Sequence, residues 1–214
     1  ENALYAKDGY NDKGKYYTDY IDLESFADQW LFYELNEENS VNSSVYYYKD
    51  SDICGDGKLH ASWPWDMEHS LAREGGAASS WFAAASDIKP EGYWMQFYHH
   101  RDFAEAVYKE WMTKFVPALE KALNPETGYD PDGISSLDWY LGYYGTDAQI
   151  NESRWNGSGF AEKLEKIRRI YTVRLDFLTE ALGLYDTDYI YFYKENGILY
   201  GVNAQEESIP VENP

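Results

Sequence analysis

Cysteine, basic residues and long apolar runs are all scarce in this sequence of 214 residues. Cys54 is the single cysteine, so an internal disulfide and a zinc site built on several cysteines are excluded. No apolar run approaches the roughly 18 residues of a membrane-spanning helix. Lys and Arg number 18 against 38 Asp and Glu, and the net charge is −20. Because nucleic-acid binding needs a basic surface, we expect no nucleic-acid partner.

Aromatic residues, in contrast, are abundant. The chain has 22 Tyr, 9 Phe and 8 Trp, which together make up 18% of its residues. A chain with so much apolar surface to bury folds rather than staying disordered. Its length fits one large domain, or one domain with an appendage.

Apolar residues recur at helical spacing in three long segments. The pattern predicts helices over 22–35, 102–124 and 160–182, with a weaker one over 134–143. Pro117 is expected to kink the second helix, and Gly183 to end the third. The predicted core consists of residues on these helical stripes: Leu23, Phe26, Trp30, Trp111, Phe115, Leu164, Ile167, Tyr171 and Leu175.

Two other regions show the pattern of strands. Residues 44–49 and 58–62 predict a hairpin with a long loop. After residue 188 the apolar period becomes two, and Asn196-Gly197 between two such runs is a strong hairpin signal. Residues 205–214 are predicted to be a linker. The fold class is therefore α+β and mainly helical, divided into a body over 1–184 and a hairpin with its linker over 185–214.

The order of elements is that of the lower lobe of a protein kinase: a helix, a polar loop, a strand hairpin and then an acidic residue, Asp66. Several short motifs of the sequence resemble those of the spore-coat CotH kinase family, an atypical kinase-like family of bacteria. The resemblance covers residues 15–184, and these segments carry it: Tyr20-Ile-Asp-Leu-Glu-Ser-Phe-Ala-Asp-Gln-Trp-Leu-Phe-Tyr-Glu-Leu35, Ser44-Val-Tyr-Tyr-Tyr-Lys-Asp50, Gly57-Lys-Leu-His-Ala61, Pro64-Trp-Asp-Met-Glu68, Arg101-Asp-Phe103 and Asn151-Glu-Ser-Arg-Trp155.

This resemblance implies phosphoryl transfer from MgATP to a protein Ser or Thr hydroxyl. It assigns Asp66 to Mg²⁺ and to nucleotide binding, with Glu68 as a supporting metal ligand. Asn42 would be a further ligand of the metal–nucleotide complex. Asn39 or Glu38 lies nearest the place of the family's catalytic Asp. Because Asn cannot act as a base, Glu37 or Glu38 would accept the proton.

The sequence also departs from the kinase pattern. No Gly-rich phosphate loop is present, and about 20 residues before the first long helix do not suffice for an upper lobe. The chain thus resembles the C-terminal half of the family's domain, and we expect weak or no kinase activity from it alone. A secreted or cell-surface bacterial location is also implied.

A second interpretation stays open, in which the chain is a non-catalytic secreted module that binds a carbohydrate or a protein partner. Tyr is frequent, and Trp63 and Trp65 flank a proline. Four further tryptophans occur elsewhere in the chain: Trp81, Trp94, Trp139 and Trp155. Aromatic rings of this kind can stack on the faces of sugar rings. In this interpretation, the missing Asp of the 36–43 loop marks a lost active site.

Overall fold

A computed structural model describes residues 1–38, 45–67, 70–71, 78, 81, 93–155 and 159–211. The fold is α+β, with about 53% helix and small antiparallel sheets, as predicted at that level. The helices are α1 (Asn2–Tyr5), α2 (Leu23–Asn36), α3 (Tyr93–Tyr98), α4 (Arg101–Glu110), α5 (Val116–Leu123), α6 (Leu137–Trp155) and α7 (Phe160–Leu182). The strands are β1 (Tyr47–Lys49), β2 (Leu59–Ala61), β3 (Tyr189–Glu195), β4 (Ile198–Asn203) and β5 (Ser208–Pro210).

Helix α2 confirms the first predicted helix almost residue for residue. The Asp22 side chain caps it by accepting a hydrogen bond from the backbone N–H of Ser25 at 2.9 Å. Phe26 and Trp30 are buried on its inner face. The helix ends at Glu37, which has a left-handed backbone conformation with φ of 53°.

Strands β1 and β2 form the predicted antiparallel hairpin, with Tyr48 opposite His60. The hairpin is fastened to α2 by backbone bonds: Asp22 N–H donates to the Leu59 carbonyl, and Leu59 N–H donates to that of Tyr20. Gln29 of α2 also donates to the Ser62 carbonyl at 3.2 Å. These bonds fix the start of the segment that carries Asp66 relative to α2.

The predicted helix over 102–124 is a composite of α4, a π-helical stretch (Trp111–Phe115) and α5. Pro117 has no N–H to donate, and its ring would crowd the carbonyl group four residues earlier. Directly before Pro117, the backbone hydrogen bonds follow the wider π-helical pattern, and the helix continues through this stretch. The disturbance predicted at Pro117 therefore takes the form of a π stretch.

The weak helix predicted over 134–143 was placed correctly but made too short, because α6 continues to Trp155. Two glycines in this helix weaken its sequence signal, since each costs about 1 kcal/mol of helix propensity. Helix α7 matches the prediction, but its buried stripe is rotated: Ile170, Arg174 and Phe177 face inward, whereas Ile167 is only half-buried.

The terminal sheet has the order β3–β4–β5, with a tight turn at Asn196-Gly197 whose two φ angles are 51° and 80°. The prediction of a linker over 205–214 was wrong for β5, because three residues are too few to show a period. Phe192 and Leu199 belong to the same buried cluster as Trp30, so the sheet packs on the helical body. Trp81 N–H donates to the Phe192 carbonyl at 3.0 Å.

The predicted core is largely confirmed. Phe26, Trp30, Trp111 and Leu164 are buried. Four other predicted residues are partly buried against this core: Leu23, Phe115, Tyr171 and Leu175. Within the described ranges, no helix is long and apolar enough to cross a membrane.

Two glycine substitutions should change stability in opposite directions. Gly197→Ala should lower the free energy of unfolding by about 1 kcal/mol. At φ of 80°, the added Cβ would crowd the carbonyl oxygen that follows it in the backbone. Gly142→Ala, in exposed helix α6 with open space around the added methyl, should raise it by up to about 1 kcal/mol. Urea denaturation would measure both, and a stabilising Gly197→Ala would contradict the turn geometry.

Candidate functional site

Two of the five predicted site residues fall within the described part of the chain. Glu38 directly follows the end of α2, and Asp66 lies beyond β2. Asn39, Asn42 and Glu68 lie outside the described residues, so their predicted roles stay predictions.

The segment after the hairpin returns to the C-terminal end of α2. Leu71 N–H donates to the Asn36 carbonyl at 2.7 Å, and the Ser70 hydroxyl donates to the Glu38 carboxylate at 2.7 Å. The Tyr33 hydroxyl is hydrogen-bonded to the backbone of Trp65, next to Asp66. The two segments in which the sequence placed site residues thus meet at one corner of the fold, which we call the α2 corner (residues 33–38, 65–67 and 70–71).

The backbone at this corner adopts unusual conformations. Glu37, Asp66 and Leu71 all have positive φ, at 53°, 60° and 55°. This region is costly for residues with a Cβ and persists only where surrounding contacts hold it. Such conformations concentrate at functional sites, and here they turn the chain sharply on both sides of the corner.

The two described carboxylates have opposite environments. Asp66 is exposed. Glu38 is fully buried and accepts the Ser70 hydrogen bond. The pKa of the nearby Tyr33 is raised, mainly because the side chain is buried. The hydrogen bond from the Trp65 backbone lowers this pKa, and the charge of Glu38 raises it. An exposed carboxylate can hold a cation at the surface, whereas Glu38 lies inside the corner.

A buried ion pair lies beneath the corner. Arg174 of α7 is completely buried and donates to the Glu34 carboxylate at 2.7 Å and to the Glu34 carbonyl at 2.6 Å. It also donates to the Ala78 carbonyl at 3.0 Å and lies 3.9 Å from Glu37. A buried arginine can bind a phosphate or pair with acids of the body, and Arg174 pairs with Glu34.

Arg168, six residues earlier on α7, also pairs with acids. It donates to Asp138 at 2.9 Å, to Glu165 at 3.3 Å and to the Leu123 carbonyl at 3.2 Å. This arginine is partly exposed, so its ion pairs contribute less than the buried one.

One group of three acids was missed by the sequence analysis, because its members are far apart in the chain. Glu24, Asp28 and Glu110 place carboxylate oxygens within 4.8 Å of one another. The Lys114 ammonium lies 2.8 Å from all three. Burial alone would lower the pKa of Lys114, but hydrogen bonds to these acids raise it well above its usual value. A lysine ammonium thus fills the position that a metal ion would take.

A cleft of about 1220 Å³ lies away from the α2 corner, between the amino-terminal segment and the terminal sheet. Lys7, His99 and Arg101 line it together with Asp186 and Asp188. Burial, with a smaller effect of His100, lowers the pKa of His99. Neither Glu38 nor Asp66 lines this cleft, so it is separate from the predicted site.

Comparisons with models of known families, with curated proteins and with solved structures find no match to this chain. The resemblance to the CotH family therefore stays a prediction.

Removing Arg174 should be far more costly than removing Arg168. Arg174→Met should lower the free energy of unfolding by about 3–5 kcal/mol, because it leaves Glu34 buried without its guanidinium. Arg168→Met, on the same helix, should cost no more than about 1 kcal/mol. Urea denaturation monitored by circular dichroism would compare them.

A double variant separates lost charge compensation from lost packing. Glu34→Gln combined with Arg174→Met should regain part of the stability lost in Arg174→Met, since no carboxylate then stays buried at position 34. Equal losses in the single and double variants, or equal losses in Arg174→Met and Arg168→Met, would contradict a dominant role for this pair.

Proposed function

We propose that the α2 corner is the metal–nucleotide site of a kinase-like phosphotransferase that acts on a protein Ser or Thr hydroxyl. The observation that supports this most is the contact of residues 65, 70 and 71 with the last turn of α2 and the residues after it. It brings an exposed carboxylate, Asp66, to the loop in which the proton acceptor is expected. The order of α2, the β1–β2 hairpin and then Asp66 is also the one that the resemblance implies.

The chemistry of Asp66 fits a magnesium ion. Mg²⁺ prefers oxygen ligands and is commonly held by one or two carboxylates together with substrate phosphates and water. Asp66 offers an exposed carboxylate just past a strand that is fastened to α2. When bound, MgATP would supply the phosphoryl group and the cation that offsets its negative charge.

The rest of the corner would hold this carboxylate in place. Tyr33 binds the backbone of Trp65, and Asn36 accepts from Leu71, so the segment is fixed on both sides of Asp66. Glu38 is the proposed proton acceptor. Its carboxylate already accepts a hydrogen bond from a serine hydroxyl, Ser70, which is the kind of bond that an acceptor hydroxyl would make.

Magnesium-dependent binding of ATP should depend on Asp66. The 214-residue chain should give weak, saturable heats with MgATP in titration calorimetry, and EDTA should abolish them. Asp66→Ala should weaken binding at least tenfold, about 1.4 kcal/mol, because the metal loses a carboxylate ligand. Asp50→Ala, which removes an exposed acid from the same hairpin, should bind as the wild type does.

Two results would contradict the proposal. One is the absence of MgATP binding by the wild type, and the other is unchanged binding by Asp66→Ala. Circular dichroism of each variant would show that the fold is retained.

A further inference from the structure

A second surface, distant in the sequence from the α2 corner, has the character of a ligand site. Five rings cluster where the loop 128–136 meets the first turns of α6: Tyr129, Trp139, Tyr140, Tyr143 and Tyr144. With Asp130, Pro131, Gly133 and Ser135 they line a groove of about 650 Å³. We call it the aromatic groove.

The rings of this groove hold one another in place. Trp139 is stacked against Tyr129 at 4.8 Å between ring centroids and against Tyr143 at 4.9 Å. Tyr140 and Tyr144 are also parallel, one helical turn apart. Because stacked rings have few alternative positions, ligand binding would cost little of their conformational entropy.

The loop that carries Tyr129 is fixed as well. Asp130 N–H donates to the Ser135 hydroxyl at 3.0 Å, and Ser136 N–H donates to the Gly128 carbonyl at 3.2 Å. At the start of α6, the Ser136 hydroxyl accepts a hydrogen bond from the backbone N–H of Trp139 at 3.1 Å. The groove is therefore preformed.

These rings are nevertheless exposed to solvent. Tyr143 is 65% exposed and Tyr129 is 61% exposed. Among the described side chains of α6, only Leu137 is buried. Large aromatic faces that are rigid and exposed together mark a binding surface more often than a feature of the core.

The charge around the groove selects the class of ligand. The described residues that line it include no Lys, Arg or His, and the Asp130 carboxylate is paired with the Lys121 ammonium at 3.4 Å. The chain as a whole carries −20. Phosphates, nucleic acids and acidic glycans are therefore repelled, and a neutral ligand is favoured.

The polar groups of the groove favour a sugar over a peptide. Tyrosine hydroxyls both donate and accept hydrogen bonds, and so do the hydroxyl groups of a sugar. Ring faces also attract the polarised C–H bonds of a pyranose. The Asp130 carboxylate accepts from Lys121 and from the Asp132 N–H, and it has lone pairs left for sugar hydroxyls. Proline-rich peptides also bind aromatic grooves, but their proline residues offer carbonyl acceptors and no N–H donor.

We propose that the aromatic groove binds a neutral oligosaccharide of flat, β-linked pyranose rings, which stack on Tyr129 and Tyr143 and donate hydroxyl hydrogen bonds to Asp130. This inference does not depend on the proposed phosphoryl transfer, because the groove and the α2 corner share no described residue.

Titration of the 214-residue chain with cellohexaose and xylohexaose, followed by calorimetry and tryptophan fluorescence, tests the proposal. Binding of at least one of them is expected. Tyr143→Ala and Trp139→Ala should weaken it at least tenfold. Trp155→Ala is the matched control, because Trp155 is a 72% exposed tryptophan on the same helix that does not line the groove. Asp66→Ala should bind sugar as the wild type does.

Several outcomes would overturn the proposal. They are no binding of either sugar at millimolar concentration, equal binding by Tyr143→Ala and wild type, or an equal loss in Trp155→Ala. Binding of a proline decapeptide in place of the sugars would assign the groove to peptides instead. Since Tyr143 is mostly exposed, its variant stays informative even where Trp139→Ala disturbs the fold.

Discussion

The contact between Arg174 and Glu34 lies where the main parts of the molecule meet. Arg174 comes from α7, Glu34 from the last turn of α2, and the Ala78 carbonyl from the chain between the hairpin and α3. Burying a guanidinium costs several kcal/mol unless its donors are used, and here it has carboxylate and carbonyl acceptors from two segments. Because Glu34 and the Ala78 carbonyl reach Arg174 together only when α2, α7 and the segment between them are packed as observed, the pair fixes how these parts fit together.

The same contact explains the position of the α2 corner. The guanidinium lies 3.9 Å from Glu37, the residue at which α2 ends in a left-handed conformation. Tyr171, one turn before Arg174, donates to the Asn36 side chain at 2.7 Å. Helix α7 therefore supports the segment 36–38, in which the Asn36 carbonyl accepts from Leu71 and the Glu38 carboxylate accepts from Ser70. A conformation that is costly for Glu37 alone is held by charges and hydrogen bonds that belong to the core.

Local patterns in the sequence predicted local structure well. The apolar spacing of α2 and α7, the Asp22 cap and the Asn196-Gly197 turn all depend on residues within a few positions of one another. The π stretch before Pro117 and the strand β5 depend on what packs or pairs with them, and a one-dimensional pattern does not contain that. The same holds for the Lys114 cluster, whose acids come from positions 24, 28 and 110. At the site, the sequence singled out Glu38 and Asp66, but not the contacts of Tyr33 and Ser70 that join their segments.

The distribution of cations links the charge of the chain to the way in which it could bind a nucleotide. Lys114, Arg168 and Arg174 each contact two or more carboxylates, so these three of the 18 basic residues serve as internal counterions for an acid-rich chain. A base that compensates several acids is not available to a phosphate. Asp66, at the proposed nucleotide site, is itself an acid and would repel a free triphosphate. Binding there consequently requires a divalent cation between the two anions, so ATP and Mg²⁺ would have to bind together rather than independently.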